Sequence, residues 1–241
     1  MSPIKATAVI LLFAVTLQGC SSSDMRRILD IASERQLSTE EVAMGLKEAL
    51  NKGVESGVGF LGTRDGFLET DYKILLPSEA RQITDQLQRV PGFSQVESIV
   101  LERINRSAED AVSRATPIFR DAIRQMTIRD AWDILRGDDY AATNYLILTT
   151  RESLYDEFNP VILDALDKFN ALEYWESAVN AYNQIPFVEE SNPRLDDYVT
   201  NQALDALFDR IAVEERSIRH DINKRTSDLL RRVFAQQDEE T

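Results

Sequence analysis

Apolar side chains recur at helical spacing along most of this chain, and that periodicity limits the folds open to it. In the clearest stretch they occupy one side of a helix, and charged side chains occupy the other. The apolar stripe is Leu204, Leu207, Phe208 and Ile211, and the charged residues are Asp205, Asp209 and Arg210. Stripes within 162–169 and 96–115 repeat the pattern, and strand-like alternation is weak throughout. We therefore predict an all-α fold, a single globular domain of eight to ten helices.

Short motifs predict where several helices begin. In each, a hydroxyl side chain is followed three residues later by a carboxyl, and the two groups bond free backbone N–H groups of the first turn. The motifs span 38–41, 94–97, 127–130 and 149–152. Thr116 before Pro117 and Asn159 before Pro160 predict two further starts or sharp kinks, because proline fits the first helical position and breaks a helix interior.

Two stretches fit the helical pattern poorly. Residues 62–77 hold several apolar and aromatic side chains without helical spacing, so this segment is either a long packed loop or a small two-stranded β-ribbon around Tyr72. Residues 183–194 contain Pro186 and Pro193 and predict a second irregular connection.

Small residues follow one face of a predicted helix at intervals of four. They are Gly45, Ala49, Gly53 and Gly57. Because each glycine costs a helix interior up to about 1 kcal/mol, the stripe predicts close packing of another helix against this face.

The N-terminus has the three regions of an export signal. Lys5 is followed by an apolar run from Ala6 to Leu17, which is shorter than the roughly 20 residues of a membrane span. The next residues, Leu17-Gln18-Gly19-Cys20, resemble the bacterial lipobox, in which the cysteine is acylated. We therefore predict a signal peptide over 1–19 and lipidation of Cys20, with more than one acyl chain giving a stable membrane anchor.

The predicted anchor divides the rest of the chain. Residues 20–36 form the lipidated cysteine and a tether, 37–235 form the helical domain, and 236–241 form an acidic disordered tail. Ser21, rather than aspartate, follows the cysteine, which resembles the outer-membrane sorting pattern of enteric bacteria. In a Gram-negative cell the domain is therefore expected at the periplasmic face of the outer membrane.

Charge and composition exclude several classes of function. The chain has 41 acidic and 27 basic residues, a net charge of −14, so we expect it to repel nucleic acid. Cys20 is the only cysteine and His220 the only histidine, which excludes a zinc site built from these residues and a cysteine nucleophile. We predict no metal site and no cofactor, and an exposed position for His220 near a helix end.

Three stretches together resemble a known bacterial family. They lie within 37–50, 125–145 and 197–230. Together they resemble the family filed as domain of unknown function 4197, over about Leu37 to Phe234, with Ala206 as a small departure where that family is expected to have glycine. The resemblance implies a secreted or lipid-anchored helical domain, and it brings no catalytic residue or cofactor with it.

Two clusters of polar side chains are candidate binding sites. Arg225, Thr226 and Asp228 fall at a predicted helix start, where free N–H groups favour an anion. Tyr145, Thr149 and Arg151 fall near a predicted helix junction. For both clusters the alternatives are helix capping with an ion pair, or binding of an anion or a cell-wall ligand.

These observations lead to a ranked functional prediction. The first choice is a membrane-anchored, non-catalytic interaction or scaffold module with an envelope protein or cell-wall partner. A second is a hydrolase of envelope polymer that uses two carboxylates, with Glu214-Glu215 and Asp138-Asp139 as the adjacent pairs available. A third is a carrier of an apolar small ligand, which requires a large dry pocket.

Overall fold

The computed structural model describes residues 37–76, 81, 95–168, 171–184, 186–187 and 195–238. The signal peptide, Cys20 and tether predicted above lie outside these residues. The described helices are α1 (Thr39–Leu61), α2 (Val96–Val112), α3 (Thr116–Gln125), α4 (Ile128–Leu135), α5 (Ala141–Lys168), α6 (Ala171–Asn183), α7 (Leu195–His220) and α8 (Asp228–Asp238), with a short 3-10 helix at Ile222–Lys224. The predicted all-α fold is confirmed, and no described helix is long and apolar enough to cross a membrane.

The ribbon alternative for residues 62–77 is wrong. Residues 62–76 form turns and an irregular end without strand pairing, and Pro77 lies outside the described residues. The buried side chain of Asn105 on α2 holds this loop: its Oδ1 accepts from Ile74 N at 2.8 Å, and its Nδ2 donates to Ile74 O at 2.9 Å. A side-chain amide thus satisfies the backbone groups that a second strand would otherwise satisfy.

A second polar contact from α2 holds the beginning of the same loop. Arg106 pairs with Asp65 at 2.7 Å and with Glu109 at 2.9 Å, and Glu109 also accepts from Phe67 N at 3.3 Å. Asp65 has a positive φ of 67°, a conformation that aspartate tolerates better than most residues. The ring of Phe67 is fully buried beneath these bonds, so the loop is packed as a part of the core.

Helix α1 packs against α3, α4, α7 and α8, and the predicted small-residue stripe faces two of these helices. A methyl group at Gly45 would lie 2.5 Å from Val233 Cγ2 of α8, and one at Gly57 would lie 3.2 Å from Ile211 Cγ1 of α7. The prediction of close packing on this face is therefore confirmed.

Two of the four predicted capping motifs are confirmed. Ser38 and Glu41 exchange hydrogen bonds at 3.0 and 3.1 Å at the start of α1, and Thr127 and Asp130 do the same for α4 at 2.8 and 3.2 Å. The motif at 149–152 is wrong as a start, because it lies inside α5. Ser94 of the fourth motif lies outside the described residues, and the cap of α2 is Gln95 without a side-chain bond.

The two proline predictions have different outcomes. Helix α3 begins beside Pro117, but its cap is Ala115, so Thr116 does not cap it. No helix begins at Pro160, which lies inside α5. Asn159 does not cap a helix there; its Nδ2 donates to Thr200 at 3.2 Å and to Asp196 at 3.4 Å on α7.

The predicted core stripe of α7 is confirmed. Leu204, Leu207, Phe208 and Ile211 are all buried, and Phe208 packs edge to face on Phe119 of α3 with ring centroids 5.8 Å apart. Helix α8 ends at Asp238 and so includes the first three residues of the segment predicted as a tail.

Candidate functional site

A buried carboxylate on α7 serves the first turn of α5. Glu215 accepts from the backbone nitrogens of Ala142 at 2.9 Å and Thr143 at 2.8 Å, and from the Thr143 hydroxyl at 2.8 Å. The first N–H groups of a helix have no partner within it, and the positive end of the helix dipole favours a negative charge. Glu215 therefore caps α5 from another helix.

A buried arginine one turn further along α7 serves the last turn of α4. Arg219 bonds Glu215 Oε1 through Nε at 3.0 Å and Nη2 at 2.8 Å. The same guanidinium donates to Ile134 O at 3.0 Å and Leu135 O at 3.3 Å. Because the last carbonyls of a helix also lack internal partners, this ion pair joins the end of α4 to the start of α5.

The first predicted cluster does not assemble as one site. Arg225 is 1% exposed, and its guanidinium donates to Ile218 O at 3.0 Å and Arg219 O at 2.7 Å, at the end of α7. Asp228 is exposed and pairs with Arg231 at 2.8 Å. Thr226 is exposed and its hydroxyl contacts the ammonium of Lys52. Arg225 thus faces carbonyl oxygens, and Thr226 lines a surface groove.

The second predicted cluster lies within α5, not at a helix junction. Tyr145 is half-buried, and burial together with the nearby Asp130 raises the pKa of its phenol. Thr149 donates back to Tyr145 O at 2.8 Å. Arg151 reaches α7, where it pairs with Asp205 at 2.7 Å and donates to Asn201 at 3.2 Å. Of the three residues, Arg151 therefore helps to hold α5 against α7, and Thr149 bonds within α5.

Within each adjacent carboxylate pair, the two side chains lie in different environments. Glu214 accepts from Ser56 at 3.3 Å, whereas Glu215 is turned inward to the end of α5. Asp138 accepts from Tyr140 N at 2.9 Å. Asp139 lies 2.6 Å from His220 Nε2, and the exposed position predicted for His220 at a helix end is confirmed. No group of three or more His, Cys, Asp or Glu within the described part of the chain is arranged to hold a metal ion.

A small, partly open cavity lies next to the Glu215–Arg219 pair. It has a volume of about 20 Å³ and is lined mainly by apolar residues of α1 and α7. A space of this size holds about one water molecule.

A wide surface groove follows the outer side of α1, opposite its small-residue stripe. Its lining residues are Met44, Lys47, Glu48, Asn51, Lys52, Glu55, Arg120 and Thr226, and its volume is about 680 Å³. The six residues from α1 follow the helical repeat, so they form the floor, while Arg120 of α3 and Thr226 flank it. We call this feature the α1 groove.

The α1 groove carries three cations, although the chain as a whole is strongly acidic. Lys47 Nζ donates to Arg124 O at 3.0 Å, and Lys52 Nζ contacts the Thr226 hydroxyl. Arg120 is exposed on α3. Sequence reasoning missed this site. The helical spacing of positions 44, 47, 48, 51, 52 and 55, opposite the glycine stripe, is visible in the sequence, but the position of Arg120 beside it depends on tertiary packing.

Comparison with known proteins gives one match. Residues 36–235 match the model of a family described as "Protein of unknown function (DUF4197)". Searches of curated proteins and of solved structures return no match. The matched residues are well over half of the 241-residue chain and include the three stretches singled out from the sequence. The chain therefore belongs to the DUF4197 family, as its sequence resemblance predicted.

Proposed function

We propose that this chain is a lipid-anchored envelope protein whose helical domain is a non-catalytic interaction module. The anchor is Cys20, and the location is the periplasmic face of the outer membrane when the cell is Gram-negative. The lipobox-like Leu17-Gln18-Gly19-Cys20 and the polar tether after it support the anchor. The partner is an envelope protein that meets the α1 groove.

One contrast between buried and accessible charge carries the proposal. Three buried ionic groups, Glu215, Arg219 and Arg225, bond the ends of α4, α5 and α7. The accessible cations Lys47, Lys52 and Arg120 line a concave surface. Charge in the interior thus serves the fold, and charge in the α1 groove is available to another molecule.

The same geometry disfavours the two alternatives. A hydrolase of the proposed kind needs two carboxyl groups in one cleft, one of them free to donate a proton. Both oxygens of Glu215 already accept hydrogen bonds, and Glu214 does not share its environment. A carrier encloses most of its ligand in a pocket of roughly 300 Å³ or more. The cavity beside Glu215 has about 20 Å³, and the α1 groove and the depression around Leu148, with about 680 and 460 Å³, lie open on the surface.

The experiment compares two positions for a photo-crosslinking amino acid in the full chain expressed in its own cells. Met44 is 54% exposed in the α1 groove, and Leu148 is 86% exposed on α5, outside it. We expect irradiation to give a discrete protein adduct from Met44 and none from Leu148. The same adduct yield from both positions, or none from Met44, contradicts an interaction at the groove.

The anchor is tested in the same strains. Cys20→Ala is expected to abolish fatty-acid labelling and to reduce the Met44 adduct, because the domain is no longer held near its envelope partner. A Cys20→Ala chain that is still labelled and still fractionates with membranes contradicts the anchor.

A further inference from the structure

We infer that the α1 groove binds a segment of a partner protein that presents carboxylate side chains. This inference rests on the proposed interaction module and specifies the chemistry of its partner. The groove is an open surface feature whose lining includes three cations, Lys47, Lys52 and Arg120.

The two lysines are held in place by neutral oxygen atoms. Lys47 bonds the carbonyl of Arg124, and Lys52 bonds the hydroxyl of Thr226. An ammonium group has three N–H donors, so each lysine keeps two for a ligand. Neutral acceptors orient the ammonium groups without cancelling their charge.

Arg120 supplies the third cation. Within the part of the chain that the structure describes, its guanidinium forms no hydrogen bond or ion pair. An arginine presents a planar set of donors that matches a carboxylate with two parallel bonds. The groove therefore combines the Arg120 guanidinium, whose donors are available, with two oriented ammonium groups.

Many other arginines of this domain are already neutralised. Arginines that lie within 4.0 Å of a carboxylate include Arg106, Arg114, Arg151, Arg219, Arg231 and Arg232. With 41 acidic against 27 basic residues, carboxylates are abundant enough to neutralise the groove cations too. Within the described residues the groove cations form no ion pair with a carboxylate, which makes the α1 groove complementary to a negative group from outside.

The other residues of the groove floor limit which negatively charged molecules can bind there. Glu48 and Glu55 lie among the cations, and Met44 adds an exposed apolar side chain. Two carboxylates repel a dense polyanion or an anionic bilayer, but they tolerate a chain whose carboxylates are spaced to fall beside the cations. The floor from Met44 to Glu55 covers about three helical turns, roughly 16 Å, which suits a peptide segment of similar length.

The test uses the purified full chain in detergent and a fluorescein-labelled helical peptide with one glutamate per turn. A glutamine version of the peptide measures the contribution of charge. We expect anisotropy to show binding of the glutamate peptide that weakens with added salt, and at least tenfold weaker binding by Arg120→Glu. Arg129→Glu, the same change at an exposed position of α4 outside the groove, is expected to bind as the unaltered chain does.

Three results overturn the inference. One is equal binding of the glutamate and glutamine peptides, and another is equal weakening by Arg120→Glu and Arg129→Glu. The third is that another molecule occupies the groove in place of the glutamate peptide. The molecules tested are tripolyphosphate, phosphatidylglycerol vesicles and a second copy of the chain, whose self-association is followed by sedimentation. If the peptide fails while Met44 still gives its adduct in cells, the interaction module stands and only the charge of its partner is wrong.

Discussion

At the scale of single residues, Glu215 and Arg219 cap helix ends that are usually capped by side chains close in sequence. Glu215 accepts from Ala142 and Thr143 at the start of α5, and Arg219 donates to the last carbonyls of α4. Neither helix end has this partner in its own neighbouring sequence. The connection between α4 and α5 is therefore held by a third helix, α7.

Removing the carboxylate of Glu215 leaves the buried charge of Arg219 without its counter-ion. Their side chains are 8% and 3% exposed, so Glu215→Ala is expected to lower the free energy of unfolding by about 3–5 kcal/mol. Urea denaturation followed by circular dichroism measures the change. Glu214→Ala is the matched control, expected to cost about 0.5 kcal/mol or less because the Glu214 carboxylate makes one weak bond to Ser56. Equal losses from both variants would show that the buried pair contributes no special stability.

At the scale of helices, α1 has two faces of different composition. Its small residues admit α7 and α8 at close range, and its polar residues form the floor of the α1 groove. The same helical repeat that buries Gly45 and Gly53 leaves Met44 and Lys52 facing the groove. One helix therefore links the core to the candidate binding surface.

Two glycines of α1 are expected to respond to alanine with opposite signs. A methyl group at Gly45 would lie 2.5 Å from Val233 Cγ2, so Gly45→Ala should destabilise by about 1–3 kcal/mol. A methyl group at Gly59 would have no neighbour within 4 Å, so Gly59→Ala should stabilise by up to about 1 kcal/mol through helix propensity alone. Thermal unfolding midpoints of the two variants provide the comparison. Stabilisation by Gly45→Ala would mean that α8 does not pack this closely on α1.

At the scale of the whole molecule, α7 packs against α1, α2, α5 and α8 in the core. Phe208 is 3% exposed and meets the buried Phe119 edge to face, which joins α7 to α3, the helix that carries Arg120. The α1 groove depends on this contact, because α3 supplies one of its walls.

Phe208→Ala is expected to cost about 3–5 kcal/mol, since it removes a buried ring and leaves a cavity. That is a large part of a typical total stability of about 5–15 kcal/mol. The urea midpoint should fall sharply, whereas Leu148→Ala, at a side chain 86% exposed, should leave it nearly unchanged. An unchanged midpoint for Phe208→Ala would contradict the packing of α3 on α7.

The sequence by itself determined the fold class, because helical spacing of apolar residues and short-range capping depend only on residues a few positions apart. Ser38 with Glu41 and Thr127 with Asp130 begin helices by bonds within one turn. The same short-range reasoning failed at Thr149, and it was wrong about a helix start at Pro160, because α5 continues through both positions while it packs against α2 and α7. Local signals record what a segment prefers, whereas burial decides which preference is realised.

Tertiary structure alone decided the candidate site. For Arg225 the sequence left open helix capping with an ion pair or anion binding, and its guanidinium is buried against carbonyls at the end of α7. Lys47, Lys52 and Arg120 come from two helices about 70 residues apart in sequence, and only the packing of α3 beside α1 brings them to one groove. Composition reveals how many charges a chain has; which of them are neutralised and which remain accessible depends on distances that exist only in the folded molecule.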